Sequence, residues 1–326
     1  MKAVVCTRYG APDVLELREW PKPVPKAHEV LVRICATTVD IGDARMRALR
    51  VPRGLGIPSR LMLGIFKPRH PVFGFNCAGE IETVGKDVTR FKPGDQVVAS
   101  AGLKFGCHAE YRSIPEDGAI VLKPGNVSHE EAAALCFGGI TAMIFFKSGA
   151  LKRGETVLIN GASGAVGTAA VQMAKHLGAE VTGVCGAGHV ELVRSLGADH
   201  VIDYTREDFT KSGVTYDLIM DNVGNAPFSR VKHLLKPGGR FLMVIGDLLQ
   251  MIDARFRKQV INPDEGTAAE VFTAENYASL MALAGQGHLK AVIDSTFPLE
   301  RIAEAHARVD GGHKTGSVVI TIAPHA

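Results

Sequence analysis

Seven residues, Gly161-Ala162-Ser163-Gly164-Ala165-Val166-Gly167, follow the apolar run Val157-Leu158-Ile159 and open into Thr168-Ala169-Ala170-Val171-Gln172-Met173-Ala174-Lys175. Glycine at this spacing permits a tight turn, lets backbone amides approach a ligand with no side chain between, and allows close packing of helix on strand. The helix start adds N–H donors without partners and a partial positive charge, which together suit a pyrophosphate. A glycine-spaced turn also occurs for packing alone. Here strand, turn, helix and a further strand come in order, which strengthens the ligand reading.

The end of the next strand selects between dinucleotides, because an acid there bonds the ribose hydroxyls of NAD and repels a 2′-phosphate. That strand ends in Val184-Cys185-Gly186-Ala187-Gly188-His189 with no acid, and Glu191 arrives only in the following helix. His189, Arg194 and Tyr204 are placed to meet a phosphate, so NADPH is the expected cofactor and NADH the alternative. Gly186-Ala187-Gly188 also reads as a flexible loop that admits either.

Before this unit the chain reads as short strands: Met1 to Thr7, Val14 to Glu19, Glu29 to Thr38, Gly79 to Val84, Gln96 to Ser100 and His108 to Ile114. Pro- and Gly-rich turns such as Lys92-Pro93-Gly94-Asp95 punctuate them, which predicts a β-rich, partly closed barrel. Near Ser128 the pattern changes: Ser-His-Glu-Glu before an Ala-rich run is a capping box. From Thr156 to Ile245 apolar strands alternate with helical stretches, including one expected over Ala226 to Leu235. Such alternation predicts an α/β unit with a doubly wound parallel sheet. A closing β-α-β stretch, Lys290 to Ile322, is placed to return to the first unit.

A chain of 326 residues suits two domains better than one. Lys plus Arg total 37 against 34 Asp plus Glu, a formal charge of +3 without a basic block, so no nucleic-acid partner is expected. Lys2 and Arg8 leave no room for a secretory leader, and no window approaches membrane-spanning length, so no membrane partner is expected. Six scattered cysteines without a CxxC pair are expected to be free thiols in a cytoplasmic protein.

Motifs along nearly the whole chain resemble the medium-chain dehydrogenase/reductase superfamily, and within it the zinc-independent, quinone-oxidoreductase-like branch. They include Met1-Lys2-Ala3-Val4-Val5, Gly85-Lys86-Asp87-Val88-Thr89-Arg90-Phe91-Lys92-Pro93-Gly94-Asp95, Ala109-Glu110-Tyr111, Gly161 to Gly167, Leu196-Gly197-Ala198-Asp199 and Leu235-Lys236-Pro237-Gly238-Gly239. The resemblance implies a GroES-like substrate domain over residues 1–125, completed by 271–326, and a Rossmann domain over 126–270. It also implies an active-site cleft at their junction and a homodimer. By position, Gly161, Ser163, Gly164, Ala165, Val166 and Gly167 with His189 and Tyr204 hold the dinucleotide. Asn222-Val223-Gly224 and Val244-Ile245-Gly246 approach its ribose and nicotinamide, Thr141 sits beside the nicotinamide, and Lys314 is a further contact.

Zinc members of the superfamily place a Cys where this chain has Asp40 and a His where it has Phe75. Cys136 lies near the third ligand position, and one soft ligand makes no zinc site, so no metal is expected. Without a Lewis acid for an alkoxide, the chain is better suited to reducing an acceptor that already takes hydride, an apolar quinone or other α,β-unsaturated carbonyl. Asp40, Arg45 and Thr141 are the candidate catalytic residues. Related quinone reductases often carry Asn and Tyr at the positions of Asp40 and Arg45. A solvated charge cluster of Asp40, Asp43 and Arg45 at a helix start is the alternative for that loop. A non-catalytic NADPH-binding sensor and a zinc alcohol dehydrogenase are the competing functions. The apolar segment Arg47 to His70 is read either as a lid over the substrate or as a satellite cluster packed under a loop.

Overall fold

The computed structural model describes residues 1–262 and 271–322. In chain order the first elements are β1 (Lys2–Cys6), β2 (Leu15–Glu19), β3 (Glu29–Val39), α1 (Ile41–Ala48), α2 (Gly56–Leu63) and β4 (Asn76–Val84). They continue with β5 (Gln96–Ser100), β6 (Tyr111–Pro115), β7 (Ile120–Leu122) and α3 (His129–Ser148). The βα-alternating part follows as β8 (Thr156–Asn160), α4 (Ala165–His176), β9 (Glu180–Cys185), α5 (Val190–Ser195) and β10 (His200–Asp203). Then come β11 (Tyr216–Asp221), α6 (Phe228–Val231), β12 (Leu235–Met243), α7 (Leu248–Ala254) and β13 (Val260–Ile261). After a helix, Ala274–Gly285, the chain closes with β14 (Ile293–Pro298), a helix Ile302–Asp310 and β15 (Ser317–Thr321).

Strands β10-β9-β8-β11-β12-β13 form one parallel sheet in that spatial order. Alternation along β8 sends Val157 and Ile159 to one face, packed with α3 and α4, and Leu158 to the other, packed with Phe209, Val231 and Phe241. Both faces are therefore covered, as a parallel sheet requires. A second large sheet runs β14-β15-β3-β4-β5-β7, with β6 also on β3, and β1 pairs with β2 in a separate two-stranded sheet. Antiparallel pairing of Val318 with Val39 and of Thr321 with Ala36 joins the two chain ends in one sheet. The expected boundary at residue 270 falls outside the described residues.

Helix α3 joins the two halves, because Ala132, Ala133, Leu135 and Cys136 share a core with Ala36, Ala78 and Val98 of one sheet and with Val157 and Met220 of the other. It corrects the expectation that no window approaches spanning length: its 20 residues are apolar enough to cross a membrane. They are mostly buried inside the protein, and an all-round apolar helix belongs in a core. Its start is fixed by Ser128 Oγ, which accepts from Glu131 N–H at 3.1 Å, and by Glu131 Oε2, which accepts from Ser128 N–H at 2.8 Å.

The expected helix from Ala226 to Leu235 is shorter. After α6 comes one 3-10 turn, Lys232–Leu234, and Leu235 already pairs with Tyr216. Segment Arg47 to His70 forms α2 and a turn that pack Leu63 with Met46, Phe73 and Phe105.

Candidate active site

Because the sheet order reverses between β8 and β11, the loops beyond their carboxyl ends diverge and leave a crevice. Asn160, buried at the end of β8, spans it: Nδ2 donates to Asp221 Oδ1 and to Asn225 Oδ1, both at 2.8 Å. Asp221 in turn accepts from the N–H groups of Val223, Gly224 and Ala226 at 3.0–3.1 Å. One carboxylate thus fixes the whole loop after β11. Asn222 donates through Nδ2 to Asn160 O at 3.1 Å, while its buried Oδ1 has no partner among the described residues. An orphaned acceptor on a crevice wall suits a ligand hydroxyl.

The glycine turn lies beside this loop. Gly161 has φ +77°, a left-handed conformation that glycine adopts without a Cβ penalty. At Gly167 a Cβ would stand 2.1 Å from Gly161 O, so only glycine lets α4 approach β8 this closely. Gly164 meets nothing nearer than 3.6 Å, and its open side faces the crevice. The first N–H groups of α4 lack partners within the helix and point to the same space. These features fit a dinucleotide pyrophosphate.

The crevice widens into a cleft of about 780 Å³, lined by Gly161, Ser163, Gly164, Ala165, Val166, Gly167, His189, Tyr204, Asn222, Val223 and Lys314. Asp40 and Arg45 line it too. The structure therefore brings together most of the positions expected from sequence. Others lie elsewhere. Of the expected Val244-Ile245-Gly246 only Ile245 reaches the cleft, while Val244 and Gly246 flank it and Gly224 is outside its lining. Thr141 does not line it, and its hydroxyl donates to Phe137 O, one turn back, at 2.7 Å. Phe137 lines the cleft instead.

Sequence reading missed Asn160, Phe137, Arg206 and Arg230 in that lining. The signal for Asn160 was its place between apolar strand and glycine. Arg206 and Arg230, beside Tyr204, gave none, because their loops converge only in space. Each has an acidic neighbour: Arg206 faces Asp203 at 3.5 Å and Arg230 faces Asp208 at 3.3 Å. Arg194, expected to meet a phosphate, pairs with Glu191 at 2.7 Å and is outside the cleft lining.

Asp40 and Asp43 are buried, which excludes the solvated-cluster reading of this loop. Asp43 Oδ2 accepts from Asp40 N–H at 3.0 Å and its Oδ1 from Gly74 N–H at 3.1 Å. Asp40 Oδ2 accepts from the Thr38 hydroxyl at 2.9 Å, not from Arg45. Burial holds both carboxyls above the ordinary range, and for Asp40 the Asp43 charge adds to it while Thr38, Lys314 and His108 oppose. Lys314 reaches the cleft because Gly316 N–H donates to Ser163 O at 2.8 Å, tying the chain's end to the glycine turn. Burial lowers the Lys314 pKa, and the Asp40 and Asp294 charges partly restore it. Arg45 is half-buried, and desolvation lowers its pKa, with no anion among the described residues offsetting it.

The zinc ligand positions do not fit a metal. Asp40 is held by Thr38, Phe75 makes edge contact with Phe105 at 5.0 Å, and Cys136 Sγ donates to Ala132 O at 3.2 Å. Among the described residues no group of three His, Cys, Asp or Glu could hold a metal ion.

Residues 26–125 match the alcohol dehydrogenase GroES-like domain family and residues 196–320 the zinc-binding dehydrogenase family. The chain is 33% identical to the chloroplastic quinone-oxidoreductase QR1 of Triphysaria versicolor, covering 98% of each. It is 31% identical to the 2-methylene-furan-3-one reductase of Solanum lycopersicum, over 98% of this chain and 79% of that protein. The quinone oxidoreductase of Escherichia coli, solved in complex with NADPH, superposes with a TM-score of 0.80 at 25% identity over 98% of this chain and 100% of that one. On the fold, the glycine-turn crevice and these likenesses together, the chain belongs to the quinone-oxidoreductase-like branch of the medium-chain dehydrogenase/reductase superfamily of NAD(P)H-dependent oxidoreductases.

Proposed function

We propose that this protein is an NADPH-dependent reductase that delivers hydride to a quinone or another apolar α,β-unsaturated carbonyl with no metal taking part. The observation that carries the reading is one cleft joining the glycine turn to Arg45, a half-buried cation with no anionic partner among the described residues. Bound nicotinamide supplies the hydride, and a conjugated acceptor then gathers negative charge on its oxygen. Arg45 is placed to stabilise that charge, in a site where low dielectric strengthens the interaction. Asp40, kept partly protonated by burial, holds a proton at its carboxyl beside Lys314. Ile41 and Phe137 supply apolar wall, and Thr141 supports Phe137.

Preference for NADPH is supported by the missing acid after β9 and by His189, Tyr204, Arg206 and Arg230 around that end of the cleft. A cytoplasmic homodimer through the parallel sheet is part of the same proposal, supported by β13 ending the strand order.

The test is steady-state turnover of NADPH, and of NADH for comparison, against quinones and enones, in the protein and in Arg45→Ala. Removing a preorganised charge should lower kcat/KM by about 10²–10³-fold while the NADPH dissociation constant stays within about twofold. Unchanged turnover in Arg45→Ala overturns the assigned role. Cofactor binding without turnover of any acceptor favours the sensor reading.

A further inference from the structure

The face carrying α2 is unusual in two independent ways. Helix α2 buries only Leu63 among its eight residues, and the turn after it presents more apolar surface. Ile57 is 76% exposed and Phe66 89%, with Leu61, Met62, Ile65 and Leu103 also exposed. Leu103 belongs to the same patch, since it shares a small hollow with Met62, Leu63 and His70. The turn is held in place: Gly64 N–H donates to Arg60 O at 2.9 Å and Arg69 N–H to Leu63 O at 2.7 Å. Gly64 has φ +126°, and a Cβ there would stand 2.0 Å from Lys67 O. Phe66 is thus presented by a built loop.

Charge is the second observation. Between Asp43 and Glu80 the sequence has no carboxylate and seven cations. Arg47 and Arg50 pair with Asp310, whereas Arg53, Lys67 and Arg69, with Lys104 beside Leu103, are exposed around the apolar residues. An apolar patch on a segment whose own charged residues are all cations complements an anionic lipid surface, where apolar insertion and electrostatic attraction act together. Spanning length, the ground for expecting no membrane partner, does not bear on such a surface.

We infer that this face docks peripherally on anionic phospholipid bilayers, with Phe66 and Ile57 inserted among the headgroups and Lys67, Arg69 and Lys104 against the lipid phosphates. None of these residues lines the cleft, so the inference stands apart from the proposed reaction.

Flotation of the full chain with phosphatidylcholine vesicles, with and without phosphatidylglycerol, tests it. Binding is expected only to the anionic vesicles, released by high salt. Phe66→Ser should weaken partitioning about tenfold. The combined change Lys67→Gln, Arg69→Gln, Lys104→Gln should weaken it about a hundredfold. Thermal unfolding of both variants should match the parent, because the side chains are exposed. No binding, or equal binding to both vesicle types, overturns the inference. A dimer in solution that Phe66→Ser dissociates, with no vesicle binding, overturns it in favour of a second copy on this face.

Discussion

Gly164 and Gly167 stand three residues apart in one turn and are required for different reasons. A methyl at Gly167 meets backbone, Gly161 O at 2.1 Å and Ala162 Cα at 2.7 Å, which no rotamer relieves. Gly167→Ala should therefore cost about 2–3 kcal/mol of stability in urea unfolding. At Gly164, with φ −78° and open space, Gly164→Ala should stay within about 1 kcal/mol of the parent. Its methyl lines the cleft, so NADPH should bind about tenfold more weakly in a fluorescence titration. Equal losses of stability in the two variants would contradict this division. The glycines were legible because their spacing is local. Thr141 was not placed well, because which side of α3 faces the cleft depends on how that helix packs between two cores. Asp40 was found by position, yet its burial and its bond to Thr38 depend on neighbours brought by other strands.

Among the elements, α3 shows a local signal and a global fit in agreement. Ser128 and Glu131 cap each other, and the helix they start carries core residues of both sheets. Ser128→Ala should cost about 1 kcal/mol in urea unfolding, and an unchanged midpoint would show that the cap is replaceable. The alternation from β8 to β10 was equally readable, since β8 and β9 are apolar runs buried on both faces and α4 between them is apolar along most of its length. Helix α1 was legible only as a helix start at Asp40 to Arg45, and α2 was not legible at all, because it has no apolar stripe and buries one residue. The helix expected from Ala226 stops early for a non-local reason. Leu235 pairs with Tyr216 and Arg240 with Leu218, and the residues between, including Pro237-Gly238-Gly239, are accommodated by a register shift. Propensity yields there to strand pairing.

At the scale of the molecule, the chain's return matters most: β15 completes the first sheet, and the segment before it carries Lys314 to the glycine turn. The same closure buries His306 near His108, with ring centroids 5.8 Å apart. Burial holds His108 down to about 4, from 6.5 in an unfolded chain. The unfolded state therefore binds the proton first as pH falls. Stability tied to neutral His108 is full above pH 6.5 and lost on the way to pH 4, about 3 kcal/mol in all. His108→Gln keeps a donor for Thr38 O, which His108 Nε2 reaches at 2.9 Å, and should flatten that acid limb in urea unfolding. An acid limb identical to the parent's would contradict it.

Isotope transfer tests the central claim most directly. NADPH carrying deuterium at C4 of the nicotinamide, turned over with an enone, should give a reduced ketone with one deuterium bound to the carbon β to the carbonyl, read by mass spectrometry. NADPH consumed with no deuterium on product carbon, or no reduction of any acceptor, would contradict the account.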